Sequence, residues 1–198
     1  MLALDVDGVI NPDARHARAL GLDLAALGYG RHRYTGPDAD GDPVDLEVWL
    51  HPAHGRWLRR LHTDGVHPAW ATSWGARAAT WIASRLHLPD LPVIDVTAGP
   101  FRGVRGGVPT KRAAIAAYAA GRPLLWIDDE FGRLDSVWAE QRLVDERAGL
   151  ATLLLTTHPG RGLTVEQMEQ ADAWPATTVP GGGHGVEHRL GTTDEGNS

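Results

Sequence analysis

Short apolar runs alternate with helix-like segments along this chain, and that alternation is the feature that most restricts its fold. The apolar runs fall near residues 1–5, 67–72, 92–96, 123–128 and 150–155. The helix-like segments fall near residues 52–64, 75–87, 110–120, 132–147 and 164–171. Strands that alternate with crossover helices build a parallel sheet covered by helices. The sequence therefore predicts an α/β fold with a single Rossmann-like, doubly wound parallel sheet.

The size of the chain suits one such domain. With 198 residues, of which 42% are apolar, it supports one α/β domain with a sizeable core and leaves little for a second. We expect this domain to span residues 1–177. Residues 178–198 contain a glycine run and a polar end with little to bury, which predicts a disordered C-terminal tail.

An insertion of about residues 12–50 follows the first apolar run. Residues 31–35 and 44–50 flank a polar, glycine- and proline-containing turn, a pattern that predicts a β-hairpin.

Charge and cysteine content limit the classes of partner. The net charge of −6 provides no general attraction for nucleic acid or for acidic membranes. The chain has no cysteine, so neither disulfides nor thiolate metal sites are available. The first strand begins at Met1 and no apolar stretch approaches the length of a membrane span, so a cytoplasmic location is the default expectation.

Two carboxylates follow the first apolar run directly, in the segment Asp5-Val6-Asp7-Gly8. In open α/β sheets, ligands bind just beyond the carboxyl ends of the strands, so this segment predicts an acidic site at that edge. The same Asp-x-Asp-Gly pattern also occurs in turns and calcium loops. The interpretation therefore depends on other segments of the chain.

Three later segments support it. Thr72 and Ser73 close the second apolar run, Lys111 opens a helix-like run, and Asp128 and Asp129 close the run near 123–128. Lys111 is the only lysine among nineteen basic residues. A cation at a helix N-terminus is disfavoured by the helix dipole, so the position requires a compensating anion unless the lysine is there by chance.

In this order, the Asp-x-Asp, the Thr-Ser pair, the lysine and the late acidic pair resemble the four signature motifs of the haloacid dehalogenase (HAD) superfamily. The resemblance covers roughly residues 1–158, and the ordered set is more specific than any single motif. Response-regulator receiver domains use similar residue types. They place the acidic pair on the first strand and the acceptor aspartate on a later one, the reverse of the order found here.

The resemblance implies a phosphatase-like hydrolase that works through an aspartyl-phosphate intermediate. Asp5 would be the nucleophile, and Asp7 would act first as general acid and then as general base. The presence of Asp7 favours phosphate-ester chemistry over dehalogenation, because dehalogenases of the superfamily lack this second aspartate.

Members of the superfamily differ in the insertion after the first motif, which forms a cap or a flap over the site. The hairpin within residues 12–50 is too short to be a full cap domain, so the resemblance implies a small flap over a relatively open site. His32, Arg33 and Tyr34 are the flap residues that could touch a substrate.

The resemblance also implies a magnesium site. Its ligands would be Asp5, the backbone carbonyl of Asp7 and one carboxylate of the late pair, together with the substrate phosphate. By family analogy Asp129 is the direct ligand and Asp128 its partner, although the opposite allocation remains open from sequence.

The substrate phosphate would be held by hydroxyl and basic groups. Thr72 would donate its hydroxyl to a phosphoryl oxygen, Ser73 is the alternative donor, and Lys111 would stabilise the nucleophile and the incoming negative charge. The basic, glycine-rich segment 101–107, which includes Arg105, either grips a phosphate or is a flexible connector.

Several substrate classes fit this site. Phosphorylated small molecules, nucleotides and nucleic-acid phosphate ends are all compatible, although the net charge does not support the last. Trp70, Trp74 and Trp126 flank motif residues and could stack on a base, but packing in the core or at the rim is the preferred interpretation. A phosphotransferase or mutase, and a non-catalytic partner-binding protein with this fold, are the alternative functions.

Two further patterns suggest metal sites but have simpler explanations. His51 and His54 could form a two-histidine site, although helix capping and surface placement are preferred. Residues 38–42 look like part of a calcium loop, but Gly41 comes too early for one, which favours a solvated hairpin turn.

Overall fold

A four-stranded parallel sheet lies at the centre of the computed structural model, which describes residues 1–96, 111–145 and 151–174. The elements in chain order are β1 (Leu2–Leu4), α1 (Ala14–Ala19), β2 (Gly30–Pro37), β3 (Pro43–Leu50), α2 (Pro52–Thr63), β4 (Pro68–Trp70), a π-helical turn (Ala78–Ile82) that continues as α3 (Ala83–Arg85), α4 (Lys111–Ala119), β5 (Leu124–Asp128), α5 (Arg133–Asp145), β6 (Thr152–Thr156) and α6 (Val165–Ala173). The strand order β4-β1-β5-β6, with every pair parallel, confirms the predicted α/β fold.

Successive residues of β1 pack on opposite faces of the sheet. Leu2 and Leu4 belong to a hydrophobic cluster that includes residues of α2 and α6, whereas Ala3 belongs to a second cluster that includes residues of α4. This alternation follows from the two-residue repeat of an extended strand. Both faces are therefore covered by helices, which explains why the strands are apolar throughout rather than amphipathic.

The predicted flap is a separate antiparallel hairpin made by β2 and β3, paired from Gly30 with Leu50 to Pro37 with Pro43. An Asp38 carboxylate oxygen closes the turn by accepting the backbone N–H groups of residues 40 and 42, both at 2.9 Å. This confirms the hairpin turn.

The three flap residues that could touch a substrate have different environments. Tyr34 is buried and packs against Trp74 and Trp81, His32 lies edge-on to Trp81, and Arg33 pairs with Asp45 across the hairpin. Burial makes Tyr34 a packing residue, whereas Arg33 is exposed at the surface of the hairpin.

The predicted strand near 92–96 is wrong as a strand. Val93 forms a single parallel bridge with Trp70, whose N–H donates to Pro92 and whose carbonyl accepts from Ile94, both at 2.8 Å. A proline supplies no N–H to a ladder, which limits the pairing of this segment.

One predicted helix contains a π-helical turn, and one helix in the structure was not predicted. The helix expected over 75–87 begins directly after Gly75, which adopts a left-handed backbone with φ of +54°, and it passes through the π-helical turn before it ends in α3. The short helix α1 lies inside the insertion and was not predicted. Its signal was Asp13, whose carboxylate accepts the N–H groups of Arg15 and His16 and so caps the helix.

The remaining predicted helices and strands match the structure to within a few residues. Among the described helices, none is long and apolar enough to cross a membrane. The expected tail 178–198, the segment 101–107 with Arg105, and the end of the domain after residue 174 lie outside the described residues.

Candidate active site

Four of the predicted site residues meet at the carboxyl edge of the sheet. Asp5 follows β1, Asp128 ends β5, Asp129 comes next, and Lys111 opens α4. Strands β1 and β5 are direct neighbours, and the Asp5 N–H donates to the carbonyl of Ile127 at 3.1 Å. Adjacent parallel strands therefore bring together carboxylates that lie more than 120 residues apart in the chain.

Lys111 lies between two of these carboxylates. Its Nζ donates to Asp128 Oδ2 at 2.9 Å and also to Asp5 Oδ2. Burial works against the ammonium charge, but the charges of Asp5 and Asp128 outweigh it and raise the pKa of Lys111. The compensating anion that the sequence required at this helix N-terminus is thus supplied by two aspartates.

Asp5 is itself buried, with 6% of its surface exposed. One carboxylate oxygen accepts the N–H of Val6 at 2.7 Å and the other accepts Lys111. Burial raises the pKa of Asp5 to about 7, although Lys111 opposes the shift, and the nearby charge of Asp128 raises it further. Burial, Asp128 and Glu130 also raise the pKa of Asp129. In both cases burial is the larger cause and the neighbouring carboxylates add to it.

Asp5, Asp128 and Asp129 could hold a metal ion. Each can place a carboxylate oxygen within 4.8 Å of the others. Hard oxygen ligands of this kind suit magnesium. Three carboxylates and the single Lys111 ammonium leave a formal surplus of two negative charges, so a divalent cation fits both the donor set and the charge.

The two aspartates of the late pair have different surroundings. Both oxygens of Asp128 are engaged, because Oδ2 accepts Lys111 Nζ and Trp126 Nε1 (3.1 Å) and Oδ1 accepts the N–H of Glu130 (3.1 Å). Asp128 is 1% exposed, whereas Asp129 is only partly buried. The carboxylate of Asp128 is therefore held rigidly by protein donors, which was not foreseeable from two adjacent aspartates in the sequence.

Gly8 leaves the space that Asp129 occupies. It has φ of +71°, and a Cβ built on it would lie 2.1 Å from Asp129 Oδ2. Gly8→Ala should therefore displace this carboxylate and weaken magnesium binding by roughly 10- to 100-fold, the usual effect of disturbing a metal ligand's support. Binding would be measured as the magnesium dependence of the melting temperature.

A matched control separates this effect from backbone strain. Gly21 has φ of +69° and nothing within 4 Å of the corresponding Cβ. Gly21→Ala should cost about 1–2 kcal/mol of stability through strain alone and leave the magnesium dependence intact. An equal magnesium response in both variants would show that Gly8 does not make room for a metal ligand.

The hydroxyl residues after β4 line an adjacent cleft. Thr72 is buried, and its Oγ1 accepts the N–H of Trp74 at 3.3 Å. A hydroxyl that accepts one hydrogen bond still carries a proton that it can donate. Ser73 is exposed. Both line a cleft of about 370 Å³ together with Arg77 and the hairpin turn at residues 37–39. The turn of the flap thus forms one wall of this cleft.

Asp7 lies at the surface and is not part of the three-carboxylate group. Its Oδ1 accepts Asn11 Nδ2 and its Oδ2 accepts Trp74 Nε1, both at 2.8 Å. Sequence reasoning gave Asn11 no role, although it stands in the same N-terminal segment. The metal expectation for Asp7 concerned its backbone carbonyl, and the side-chain arrangement does not bear on it.

The tryptophans next to the motifs are packing residues, as preferred. Trp70, Trp74 and Trp126 are each no more than 4% exposed, so none of them offers a free face to a base. The interpretation was incomplete, because Trp74 and Trp126 also donate their indole N–H groups to Asp7 and Asp128.

His51 and His54 lie at the start of α2. Within the described part of the chain, their hydrogen bonds and ring contacts do not involve Asp5, Asp128 or Asp129. His51 caps the helix by accepting the N–H of Ala53 at 3.0 Å, as expected. The surface placement expected for His54 is wrong. It is 2% exposed, it contacts the carbonyl of Leu163 through Nε2 at 2.9 Å, and burial lowers its pKa to about 4.

Comparison with known proteins gives one family match. The model of the HAD domain in Swiss Army Knife RNA repair proteins matches residues 1–168. No curated protein and no solved structure matches the chain. The matched range includes the whole cluster of Asp5, Lys111, Asp128 and Asp129.

Proposed function

Since this chain belongs to the family of HAD domains found in Swiss Army Knife RNA repair proteins, we propose that it is a magnesium-dependent phosphatase acting on nucleic-acid phosphate ends or nucleotides. The observation that carries the proposal is the buried cluster in which Lys111 joins Asp5 and Asp128, with Asp129 beside them. A fold without a site has no need of three neighbouring carboxylates, to which the described part of the chain offers Lys111 as the paired cation.

Asp5 is the nucleophile of the proposed reaction. Its carboxylate oxygen forms a bond to phosphorus as the bond from phosphorus to the ester oxygen breaks, which leaves an aspartyl phosphate and an alcohol. Water then attacks the phosphorus, releases inorganic phosphate and restores the carboxylate. Lys111 orients the carboxylate and offsets the charge that the phosphoryl group brings into the site.

Asp7 moves the proton in both steps. Protonated, it donates to the departing ester oxygen; ionised, it takes a proton from the attacking water. A carboxyl at the surface beside the buried nucleophile suits this task, since it exchanges protons with solvent between steps.

Magnesium would be held by Asp5, Asp129 and the backbone carbonyl of Asp7. When bound, it supplies positive charge to the phosphoryl oxygens. Asp128 is assigned a different role, because its oxygens already accept from Lys111, Trp126 and the Glu130 N–H. Asp128 anchors the Lys111 ammonium between its own carboxylate and that of Asp5.

The presence of a cleft beside the flap supports the proposal of a bulky substrate. Thr72 supplies a hydroxyl donor at the wall of this cleft, and Ser73 lies exposed beside it. Because the net charge of −6 gives no general attraction for a polyanion, recognition would rest on the terminal phosphate rather than on the length of a strand.

Phosphate release from a substrate panel tests the proposal. The panel contains an aryl phosphate, a sugar phosphate, nucleotides and short oligoribonucleotides phosphorylated at the 5′ or the 3′ end, each assayed with magnesium and with a chelator. We expect magnesium-dependent release and a kcat/KM for oligonucleotide ends or nucleotides at least about tenfold above that for the sugar phosphate, the difference made by about 1.4 kcal/mol of transition-state binding.

Two results would contradict the proposal in different ways. A preference for the sugar phosphate would keep the phosphatase and reject the nucleic-acid class of substrate. Magnesium binding without turnover of any member of the panel would reject hydrolysis and favour transfer to another acceptor or a binding role.

A further inference from the structure

The carboxylate of Asp7 is held at both oxygens by side chains that are themselves anchored on the flap. Asn11 Nδ2 donates to Oδ1 and Trp74 Nε1 donates to Oδ2, each at 2.8 Å. Each carboxylate oxygen has two lone-pair sites, so both bonds leave room for a proton. The two bonds fix the plane of the carboxyl group, which would otherwise rotate freely at the surface.

Trp74 is tied to β2 of the flap through its ring. The ring is 4% exposed, stacks on Trp81 at 6.0 Å between centroids, and meets Tyr34 edge-on at 5.4 Å. Tyr34 in turn donates its hydroxyl to the carbonyl of Pro37, at the end of the same strand, at 2.7 Å. The indole that holds Asp7 can therefore not swing away without disturbing the packing of the flap.

Arg77 also links the flap to the loop after β4. Its guanidinium donates to the carbonyls of Trp74 (3.0 Å) and Ser73 (3.2 Å) on the loop after β4, and to Pro37 (3.2 Å) on the flap. It also lies over the Trp74 ring at 5.2 Å. One side chain thus fixes the distance between the flap and the loop that carries Thr72 and Trp74.

Asn11 ties Asp7 to the other flap strand. Its Oδ1 accepts the N–H of Trp49, in β3, at 2.8 Å, while its amide donates to Asp7. Its backbone carbonyl accepts the N–H of Gly8 at 2.9 Å, which holds the segment around Asp7 in a tight loop. Both strands of the flap therefore reach Asp7 through one intermediate side chain each.

We propose that Trp74 and Asn11 are positioning residues for Asp7, and that the flap sets the orientation of the general acid–base as well as bordering the cleft. This rests on the proposed function of Asp7. Correct placement of an acid–base group contributes about 10²- to 10⁴-fold in rate, so partial loss of its orientation should be measurable.

The dependence on the leaving group tests this role. A p-nitrophenolate leaves without protonation, whereas an alkyl alkoxide needs a proton from the general acid. Trp74→Phe, which keeps the ring and removes the N–H, should lower kcat/KM at least about tenfold for an alkyl phosphate and less than about threefold for p-nitrophenyl phosphate. Asn11→Ala should show the same pattern.

Trp57→Phe is the matched control. Trp57 is also buried and also donates its indole N–H to an aspartate, Asp172 Oδ1 at 2.9 Å, but between α2 and α6. Removing the Trp57 indole N–H should leave the ratio of kcat/KM for the alkyl phosphate to kcat/KM for p-nitrophenyl phosphate unchanged. If Trp74→Phe lowers both substrates equally, the indole contributes only to packing and the inference is wrong.

NMR at a fixed pH gives a second readout that needs no turnover. The indole N–H signal of Trp74 should move in Asp7→Asn, because its acceptor becomes an amide oxygen, whereas the indole N–H signal of Trp57 should stay in place. A wild-type protein that hydrolyses neither substrate but shows this response to Asp7→Asn would reject the proposed phosphatase while keeping the positioning contact. A Trp74 signal that ignores Asp7→Asn would overturn the inference even in an active enzyme.

Discussion

Asp5→Asn is expected to abolish phosphate release and, at the same time, to stabilise the metal-free protein near neutral pH. The loss of activity follows from removing the nucleophile, since an amide cannot form the acyl phosphate. We expect a fall of at least about a thousandfold in kcat, comparable to the loss of a nucleophile in other covalent enzymes.

The stabilisation follows from the raised pKa of Asp5, from its ordinary 3.8 to about 7. The native state binds this proton more tightly than the unfolded chain does, so Asp5 lowers the free energy of unfolding as pH rises from about 4 to about 7. Above that range the whole cost of burying the charge is present. The neutral amide avoids it, which predicts a gain on the order of 1–3 kcal/mol for Asp5→Asn at about pH 8.

Chemical denaturation of wild type and Asp5→Asn in a chelating buffer, at several pH values, measures this gain. The two free energies of unfolding should approach each other as pH falls and converge below pH 4, where wild-type Asp5 becomes protonated in the unfolded state as well as in the native state. Magnesium should raise the melting temperature of the wild type more than that of the variant, since the variant lacks one of three carboxylates. If the variant were less stable than wild type at pH 8, the attraction between Lys111 and the Asp5 carboxylate would outweigh the cost of burying that carboxylate.

Lys111→Met should cause the largest loss of stability. The Lys111 side chain is 25% exposed and its partners Asp5 and Asp128 are both buried, so its removal leaves two buried carboxylates without this cation. Breaking a buried pair in this way costs about 3–5 kcal/mol. Activity should fall at least about a hundredfold, because a charge-stabilising donor is lost from the reacting phosphoryl group.

Magnesium and arginine provide the controls for Lys111→Met. Magnesium should restore part of the lost stability, because it supplies positive charge to the same carboxylates, but it should not restore activity. Lys111→Arg retains the charge in a planar group that cannot replace the compact ammonium, so it should recover more stability than activity. Full activity in Lys111→Arg would show that charge alone is required at this position.

Much of the fold and the location of the site could be predicted from sequence because both depend on local patterns. Apolar runs followed by helices specify a parallel sheet, and the residues that end its strands necessarily meet at one edge. Asp5, Thr72 and Asp128 each follow or end a strand of the same sheet, so their spacing along the chain was enough to place them on that edge. The expected anion beside Lys111 followed from a local electrostatic argument. Asp5 and Asp128 supply it, because they lie at the same edge of the sheet.

Only the tertiary structure decided how the members of the site are held. The partners of Asp7 are Asn11 and Trp74, and the latter lies 67 positions away. The difference between Asp128 and Asp129 depends on Lys111 and Trp126, and the burial of His54 depends on Leu163, 109 positions away. Hydrogen bonds of this kind require atoms within about 3 Å, a precision that residue type and periodicity do not carry, because it is fixed only when distant segments pack together.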